Sequence, residues 1–361
     1  MRLIPIEYVK PNTILGKTLY TIDGRMLVKS GMVLTKRMIA KIKEINVLSL
    51  YIVDEYSSDE IVDIIKPELR QKAILTIKDA FFNINKITIA DKFSKKSEVY
   101  FKNIQTMSEE LMENILTNED VLLSLVDIRS MDNYIYSHSV NVAIISMILG
   151  IALKLPKKKL EYLCMGALIH DIGKSFVPKK VLMTEEELTP EENILLEQHP
   201  RLGYNYLSDS YNLSANSKSV ALQHHERPDG LGYPDGLCGD KISIFSKIVS
   251  IADAYDTLSS GRPNKRAMFP SDVLEYLMSN AGKMFDYDIV NTFCKVVVPF
   301  SNGTLVNLSN GDIAIVKETL PNFPLRPIVE ILKSSKTNTI GEEINLIEEL
   351  SIVITNIRYE M

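Results

Sequence analysis

The chain is short of cysteine, has no surplus of positive charge and contains no long hydrophobic run. Each shortage excludes something. Its three cysteines, Cys164, Cys238 and Cys294, are odd in number, far apart and form no CxxC. That argues against a disulfide framework and against a thiolate zinc site, and it suits a reducing compartment. Lys and Arg total 41 against 46 Asp and Glu, giving a net charge of −5 and a pI near 5.7. A binder of nucleic-acid polymers is usually basic, so such a partner is not expected. A small anion held in a local cationic pocket remains compatible. The longest apolar run, Val142 to Leu153, is too short to span a bilayer and reads as a buried core helix. The opening MRLIPIEYVK is charged early and lacks an apolar h-region, so neither a signal peptide nor membrane insertion is expected, and the cytoplasm is the expected location. Low-complexity segments and internal repeats are missing too.

What is present is an ordinary globular balance, 45% hydrophobic and 24% charged over 361 residues, enough for two or three domains. Residues 1–65 read as a small α+β unit. IEYV, KTLYTI and RMLVKS have strand character, Asp23-Gly24 and Ser30-Gly31 mark turns, and Thr35 is placed to cap a helix over KRMIAKIKEI before the strand-like VLSLYIV. Residues 66–120 are rich in Lys, Glu and Asn with apolar residues at helical spacing, and read as a helical connector.

From 121 to 296 the pattern is strongly helical. Helices are expected over NYIYSHSVNVAIISMILGIAL, KKKLEYLCMGALIHDIG, TPEENILLEQH, PRLGYNYLS, SKSVALQHH, SIFSKIVSIADAYDTLSS and SDVLEYLMS. Gly173 is a candidate C-cap, Thr189-Pro190-Glu191-Glu192 a candidate N-terminus, and Pro200 a separator between the third and fourth helices. Residues 297–361 change character again. TLVNLS and DIAIVKE flank the hairpin signal Asn310-Gly311, and RPIVEILK and INLIEELSIVITNI add strand-like runs, giving a small β-rich extension. The expected fold class is mainly α, an all-helical core between a small α+β N-terminal domain and this C-terminal extension.

All five histidines, His138, His170, His199, His224 and His225, lie in the helical region. Most sit at helix ends, and Asp171 follows His170 directly. Asp253 lies mid-helix among apolar neighbours, where a carboxylate is costly unless it is paired or bound to a cation. Taken singly, each has an ordinary explanation: a satisfied core histidine, a helix terminus, a hydrogen-bonded His-Asp pair. Taken together they suggest a shared site. Seven donors exceed what one tetrahedral ion takes and suit two ions sharing a carboxylate, with Asp171 the natural bridge. Imidazole and carboxylate suit Fe, Mn or Zn. Two such ions can hold a hydroxide and clamp a phosphoryl oxygen, an arrangement suited to phosphoester hydrolysis.

HDIGK (170–174) resembles the signature of the HD-superfamily metal-dependent phosphohydrolases. HHERPDGLGYP (224–234), some fifty residues on, resembles the second signature of their HD-GYP branch. Tyr136-Ser137-His138-Ser139, Gln198-His199-Pro200 and Ile251 to Asp256 fall where that family has its other blocks, so the likeness covers about 120–296, and TLVNLSNGDIAIV with PLRPIV resembles a frequent family extension. The resemblance implies an all-helical HD-GYP core with two divalent ions, non-haem iron or manganese, and hydrolysis of cyclic di-GMP to pGpG and/or GMP. It implies one ion on His138, His170 and Asp253, a second on His199, His224 and His225, and Asp171 between them. Tyr134 stands where some members have a glutamate for a third ion, so two are expected. Lys174 resembles the family lysine that contacts the scissile phosphate, and an ammonium there would offset charge on phosphoryl oxygens.

SSGRPNKRAM departs from the family pattern at Gly261 and Asn264 but keeps Arg262, Pro263 and a base at Lys265. Arg262 and Lys265 are therefore candidate phosphate contacts. Tyr233 belongs to a loop read first as structural, and could also stack on a base. The resemblance leaves room for a homodimer and for a protein partner at this loop. Three other readings remain open: a phosphohydrolase of another cyclic dinucleotide or nucleotide, an effector that binds cyclic di-GMP without cleaving it, and a bimetal oxygenase on a related helical fold. Glu226 and Arg227 are left with an unassigned supporting role.

Overall fold

The computed structural model describes residues 1–20, 25–45, 47, 49–56, 64–84, 95–117, 134–182, 184, 186–208, 213–260, 268–320, 322–334 and 339–360. The protein is mostly helical, with a small strand-and-helix unit at its N-terminal end and an antiparallel sheet at its C-terminal end.

The N-terminal unit contains β1 (Arg2–Pro5), β2 (Ile14–Leu15), β3 (Leu19–Tyr20), β4 (Met26–Val28), α1 (Lys36–Glu44) and β5 (Ser49–Val53). Strands β1, β5 and β2 form one antiparallel sheet, and β3 pairs with β4. The Thr35 hydroxyl accepts the Met38 N–H at 3.2 Å and caps α1 as expected. Ile6–Tyr8, expected as strand, is instead a 3-10 turn, because Pro5 ends the pairing with β5 at Ser49 and turns the chain. Ile4, Leu15, Leu34, Ile39 and Leu50 form this unit's own buried core.

The helical body begins earlier than the sequence suggests. Helices α2 (Pro67–Ile84) and α3 (Lys95–Leu116) are helical as expected. However, Ala73, Ile77, Phe81, Ile104, Met107, Leu111 and Ile115 are buried in the same core as the helices that follow. The Arg70 guanidinium also donates to Asn141 Oδ1 at 2.6 Å. These helices are a layer of the body rather than a connection to it. Their polar faces are simply the solvated side of amphipathic helices.

At the centre of the body is α4 (Tyr134–Ala152), which packs against α5 (Lys157–Ile169), α2 and α10. Its segment Ile135–Ala152 is long and apolar enough to cross a membrane by length and composition, so the run is longer than Val142 to Leu153 alone; 72% of it is buried inside the molecule, as a core helix would be. The body continues with α6 (Lys179–Leu182), α7 (Pro190–Glu197), α8 (His199–Ser208), α9 (Ala215–Gln223), α10 (Ile244–Ser259), α11 (Pro270–Ser279) and α12 (Tyr287–Val296). Helix α12, started by the Asp286 carboxylate accepting the Ile289 N–H, has no counterpart in the sequence reading. Thr189 and Glu192 form a full capping box at the start of α7.

Two boundaries differ from expectation. His199 does not end the third helix; it opens α8, with Pro200 in the first turn, where a missing N–H costs nothing. Gly173 does not cap α5 in a left-handed conformation. It lies inside a 3-10 turn, Ile172–Phe176, and its role is close approach, described below.

The C-terminal sheet has the order β10-β6-β7-β8-β9, all antiparallel, from β6 (Leu305–Leu308), β7 (Ile313–Glu318), β8 (Ile328–Lys333), β9 (Glu343–Asn345) and β10 (Ile354–Arg358). The β6–β7 turn has Gly311 at φ 89°, which suits the residue expected there. The chain returns to its start: Tyr359 stacks on Tyr8 with ring centroids 5.1 Å apart, and the Arg2 guanidinium donates to the Tyr359 carbonyl.

Candidate metal centre

Five elements deliver the histidines and acids to one buried place. His138 projects from the first half of α4, and His170 caps the end of α5 with Asp171 directly after it. His199 starts α8, His224 caps α9 with His225 following, and Asp253 and Asp256 lie on α10. His138, His170, Asp171, His199 and His224 are all at most 3% exposed.

Asp171 stands between two histidine groups, one oxygen toward each. Its Oδ2 is 3.4 Å from His170 Nε2 and 3.7 Å from His138 Nε2. Its Oδ1 is 3.3 Å from His199 Nε2 and 3.7 Å from His224 Nε2. Donor atoms of His138, His170 and Asp171 lie within 4.8 Å of one another, and so do those of Asp171, His199, His224 and His225. Asp253 is outside both sets but adjoins them, with Oδ1 3.0 Å from His138 Nε2 and Oδ2 3.9 Å from His225 Nδ1.

The ring orientations have a local cause. His170, His199 and His224 place Nδ1 on the carbonyls of Ala167, Leu196 and Val220, at 2.7, 2.7 and 3.0 Å. Each uses a carbonyl three or four residues back, in the preceding helical turn, so each turns Nε2 inward. His138 instead sets Nδ1 on Asp256 Oδ2 at 2.8 Å. The sequence reading gave Asp256 no role. Its signal was available, since Asp253 and Asp256 are three residues apart and share a helix face.

The residues fit a pair of cations. His170 Nε2 and Asp171 Oδ1 are buried and make no hydrogen bond, which is costly unless something else satisfies them. Burial lowers the His224 pKa to about 4, and burial together with the neighbouring His224 and His199 holds His225 well below the ordinary imidazole value, so both rings are neutral donors at pH 7. Burial raises the Asp171 carboxyl, but His170 and Lys174 outweigh it, and the net position is well below the usual carboxylate range. Asp253 is likewise pushed up by burial and brought well below that range chiefly by His138. Imidazoles gathered around buried acids held anionic are the donor chemistry of a bimetal site.

A consequence can be measured on chelator-treated protein. His224 is neutral when folded down to about pH 4 but protonates near 6.5 when unfolded. The unfolded chain therefore binds more protons across that window, and stability falls as pH falls through it. His224 alone accounts for about 2 kcal/mol lost between pH 7.5 and pH 5, with His225 acting in the same direction. Denaturant midpoints at the two pH values read this directly. Equal midpoints would mean these rings are not held neutral.

Lys174 lies on the rim. Its Nζ is 2.5 Å from Asp171 Oδ2, and its side chain keeps 19% exposure. Gly173 lets it sit there. A Cβ at Gly173 would lie 1.9 Å from the His199 carbonyl oxygen and 2.7 Å from the Gly203 nitrogen, so the turn carrying Asp171 and Lys174 rests directly on the backbone of α8.

The glycine-rich loop forms a wall of the site. Tyr233 stacks on His225 with centroids 4.8 Å apart and planes at 28°, and its N–H donates to the His225 carbonyl. Gly230 and Gly236 adopt positive φ, and a Cβ at Gly232 would fall 2.5 Å from the Arg227 nitrogen. Glu226, left unassigned by the sequence, staples this loop. It is 2% exposed, and its two oxygens accept the N–H groups of Asp235 and Leu237 at 2.7 and 2.8 Å. Arg227 pairs with Asp229 at the loop's base, and Arg201 pairs with Asp235, tying the loop to α8. Arg262 and Lys265, with Gly261 and Asn264, lie outside the described residues, as does the Tyr134 side chain.

The model of the HD domain matches residues 110–289, across the helices that carry all seven donors. The chain belongs to the HD-domain family. Its HHERPDGLGYP segment resembles the second signature of the HD-GYP branch. A model described as a KOW domain associated with HD domain matches 305–358, the β6–β10 sheet. The HD-domain chain is 34% identical over 229 residues to the cyclic di-GMP phosphodiesterase PA4108 of Pseudomonas aeruginosa, covering 63% of this chain and 55% of that one. It is 42% identical over 135 residues to the cyclic di-GMP phosphodiesterase response regulator RpfG of Xanthomonas campestris, covering 37% and 36%. It is also 30% identical over 193 residues to the 3'3'-cGAMP-specific phosphodiesterase 2 of Vibrio cholerae, covering 53% and 36%. The chain thus spans about half or less of the length of these relatives. Among solved structures, the fold is similar to Bd1817, an HD-GYP-type protein of Bdellovibrio bacteriovorus, with a TM-score of 0.53 and 18% identity over 81% of this chain and 97% of that one.

Proposed function

We propose that this HD-domain protein is a metal-dependent phosphodiesterase that hydrolyses cyclic di-GMP to pGpG, to GMP or to both. The observation that carries the reading is Asp171, buried between two imidazole groups with one oxygen toward each. In this reading His138, His170 and Asp253 hold one divalent ion, His199, His224 and His225 hold a second, and Asp171 spans them; iron or manganese suits this donor set. Such a pair, when bound, supplies a nucleophile at neutral pH and a clamp for phosphoryl oxygens.

The chain's own residues do the rest. Lys174 stands at the open side of Asp171 and offsets charge that builds on the phosphoryl oxygens. Arg262 and Lys265 hold the second phosphate. Tyr233, seated on His225, offers a flat face to a base. The Lys174→Ala variant is expected to keep its metal complement and lose about 10²-fold in kcat. A change in KM alone would assign the lysine to binding instead.

A second reading is hydrolysis of a different cyclic dinucleotide. Gly261 and Asn264 favour it, where the stretch around Arg262 departs from the family pattern, as does the likeness to a 3'3'-cGAMP-specific relative. One experiment separates these. Anaerobically purified, metal-loaded protein is given cyclic di-GMP and 3'3'-cGAMP in parallel, and linear products are followed chromatographically. Faster formation of pGpG supports the first reading, and faster opening of cGAMP the second. Binding of either without product would make the chain an effector.

A further inference from the structure

We infer that the two halves of the metal centre are unequal, and that Asp256 is the positioning residue that makes the His138 half take its ion first. The inference rests on the bimetal reading above and concerns how the site fills rather than what it cleaves.

The second nitrogen of each ring distinguishes the two halves. His170, His199 and His224 all rest Nδ1 on a neutral backbone carbonyl. His138 alone among these four rests Nδ1 on a carboxylate, at 2.8 Å, with both side chains almost fully buried at 2% and 1% exposure. A carboxylate on the outer nitrogen fixes the tautomer, holds the ring in place and makes the inner nitrogen a stronger donor. The effect is larger in a dry environment than in water.

The charges lie on the same side. Asp253 Oδ1 is 3.0 Å from the inner nitrogen of the same ring, so His138 is bracketed by two acids, one on each nitrogen. Among the described residues, the His199, His224 and His225 half has no carboxylate of its own beyond the shared Asp171, and Asp253 reaches it only at 3.9 Å. Affinity for a hard divalent cation rises with the number of anionic ligands. One group opposes this. The Lys174 ammonium sits on Asp171 Oδ2, the oxygen facing His138 and His170. A single ammonium offsets one of the two extra carboxylates, and at 19% exposure its side chain has an outlet to solvent that Asp256, at 1%, lacks. The balance favours the His138 half.

The test uses Mn²⁺ alone, added to the full chain after chelation, with calorimetry and electron paramagnetic resonance as readouts. The wild type is expected to bind two ions in separate steps, the first at least about 10-fold tighter. Asp256→Asn keeps the shape and removes the charge. It should weaken the first step by about 10- to 100-fold and leave the second in place. His199→Ala should do the reverse, erasing the weak step and sparing the tight one. Asp256→Glu, which keeps the carboxylate, should restore part of the first step. A variant that merely loosened the fold would weaken both steps together, and that result would overturn the inference. So would a wild type that fills both positions with equal affinity, or an Asp256→Asn that alters only the second step. If Asp256→Asn does not fold, the His199→Ala titration still decides, because losing the tight step there reverses the assignment. The outcome is independent of turnover. Ordered filling without hydrolysis of any cyclic dinucleotide sinks the proposed activity and leaves this inference standing. Hydrolysis with equal affinities does the opposite.

Discussion

Asp171→Ala is expected to lose at least about 10³-fold in cyclic dinucleotide turnover, equivalent to roughly 4 kcal/mol of barrier. It is also expected to retain no more than about half of the wild-type metal. The size follows from where the carboxylate stands. Its two oxygens face both imidazole sets at 3.3 to 3.7 Å, and it is 1% exposed. Removing it leaves the Lys174 ammonium facing a cluster of imidazoles with no acid between them. An unpaired cation there opposes binding of a further one. Asp171→Asn is the informative companion, because it keeps the volume and one oxygen while removing the charge. Comparable losses in both variants would assign the effect to charge and bridging, and a much milder Asn variant would assign it to shape. Metal per chain and initial rates are measured on the same preparations. Equal hydrolysis by wild type and Asp171→Ala would remove the bimetal mechanism altogether.

The donor set could be read from the sequence because its members announce themselves locally. Histidine is scarce in this chain, and every histidine falls at or near a helix end or on a very apolar helix. Asp171 is adjacent to one of them. What could not be read depends on tertiary approach. Asp256 looks like any acid on a half-buried helix until α4 is laid against α10 and His138 meets it at 2.8 Å. Glu226 looks like part of a charged stretch until its loop folds back and presents two N–H groups nine and eleven residues on. Helices α2 and α3 carry enough Lys and Glu to resemble a linker, yet Ile77, Ile104 and Ile115 are fully buried. Composition reports the solvated face and hides the packed one.

Gly173 is the sharpest of these cases, and it carries the second large effect. A glycine just past an apolar helix is usually a left-handed cap, and the sequence supported that reading. Here it is a spacer. An added Cβ would fall 1.9 Å from the His199 carbonyl oxygen, 2.7 Å from the Gly203 nitrogen and 2.8 Å from the His199 carbonyl carbon. All three are backbone atoms, so no side chain can swing aside. Either α8 moves away or the 3-10 turn does. His199 opens α8, and Asp171 opens the turn, so the displacement passes directly into the 3.3 Å separation between their donor atoms. Gly173→Ala is therefore expected to cost about 3 kcal/mol or more in stability, the upper range for overpacking. It should also lose about 10²-fold in turnover, as expected for a misplacement near 1 Å.

Gly203→Ala gives the control. Its Cβ would meet the Gly173 nitrogen at 3.1 Å and the Ile172 side chain at 3.3 Å, contacts that a shift of a few tenths of an ångström relieves. The expected order is a severe effect at Gly173 and a mild one at Gly203, in both denaturant midpoint and metal retained. A wild-type midpoint for Gly173→Ala would mean that the turn and α8 are not in contact. A lowered midpoint with full metal retention would mean that the contact supports the fold without setting the position of His199. The glycine of HDIGK would then belong to packing, and the spacing of the two metal-binding halves would have to be fixed elsewhere, by the Nδ1 bonds that aim each ring.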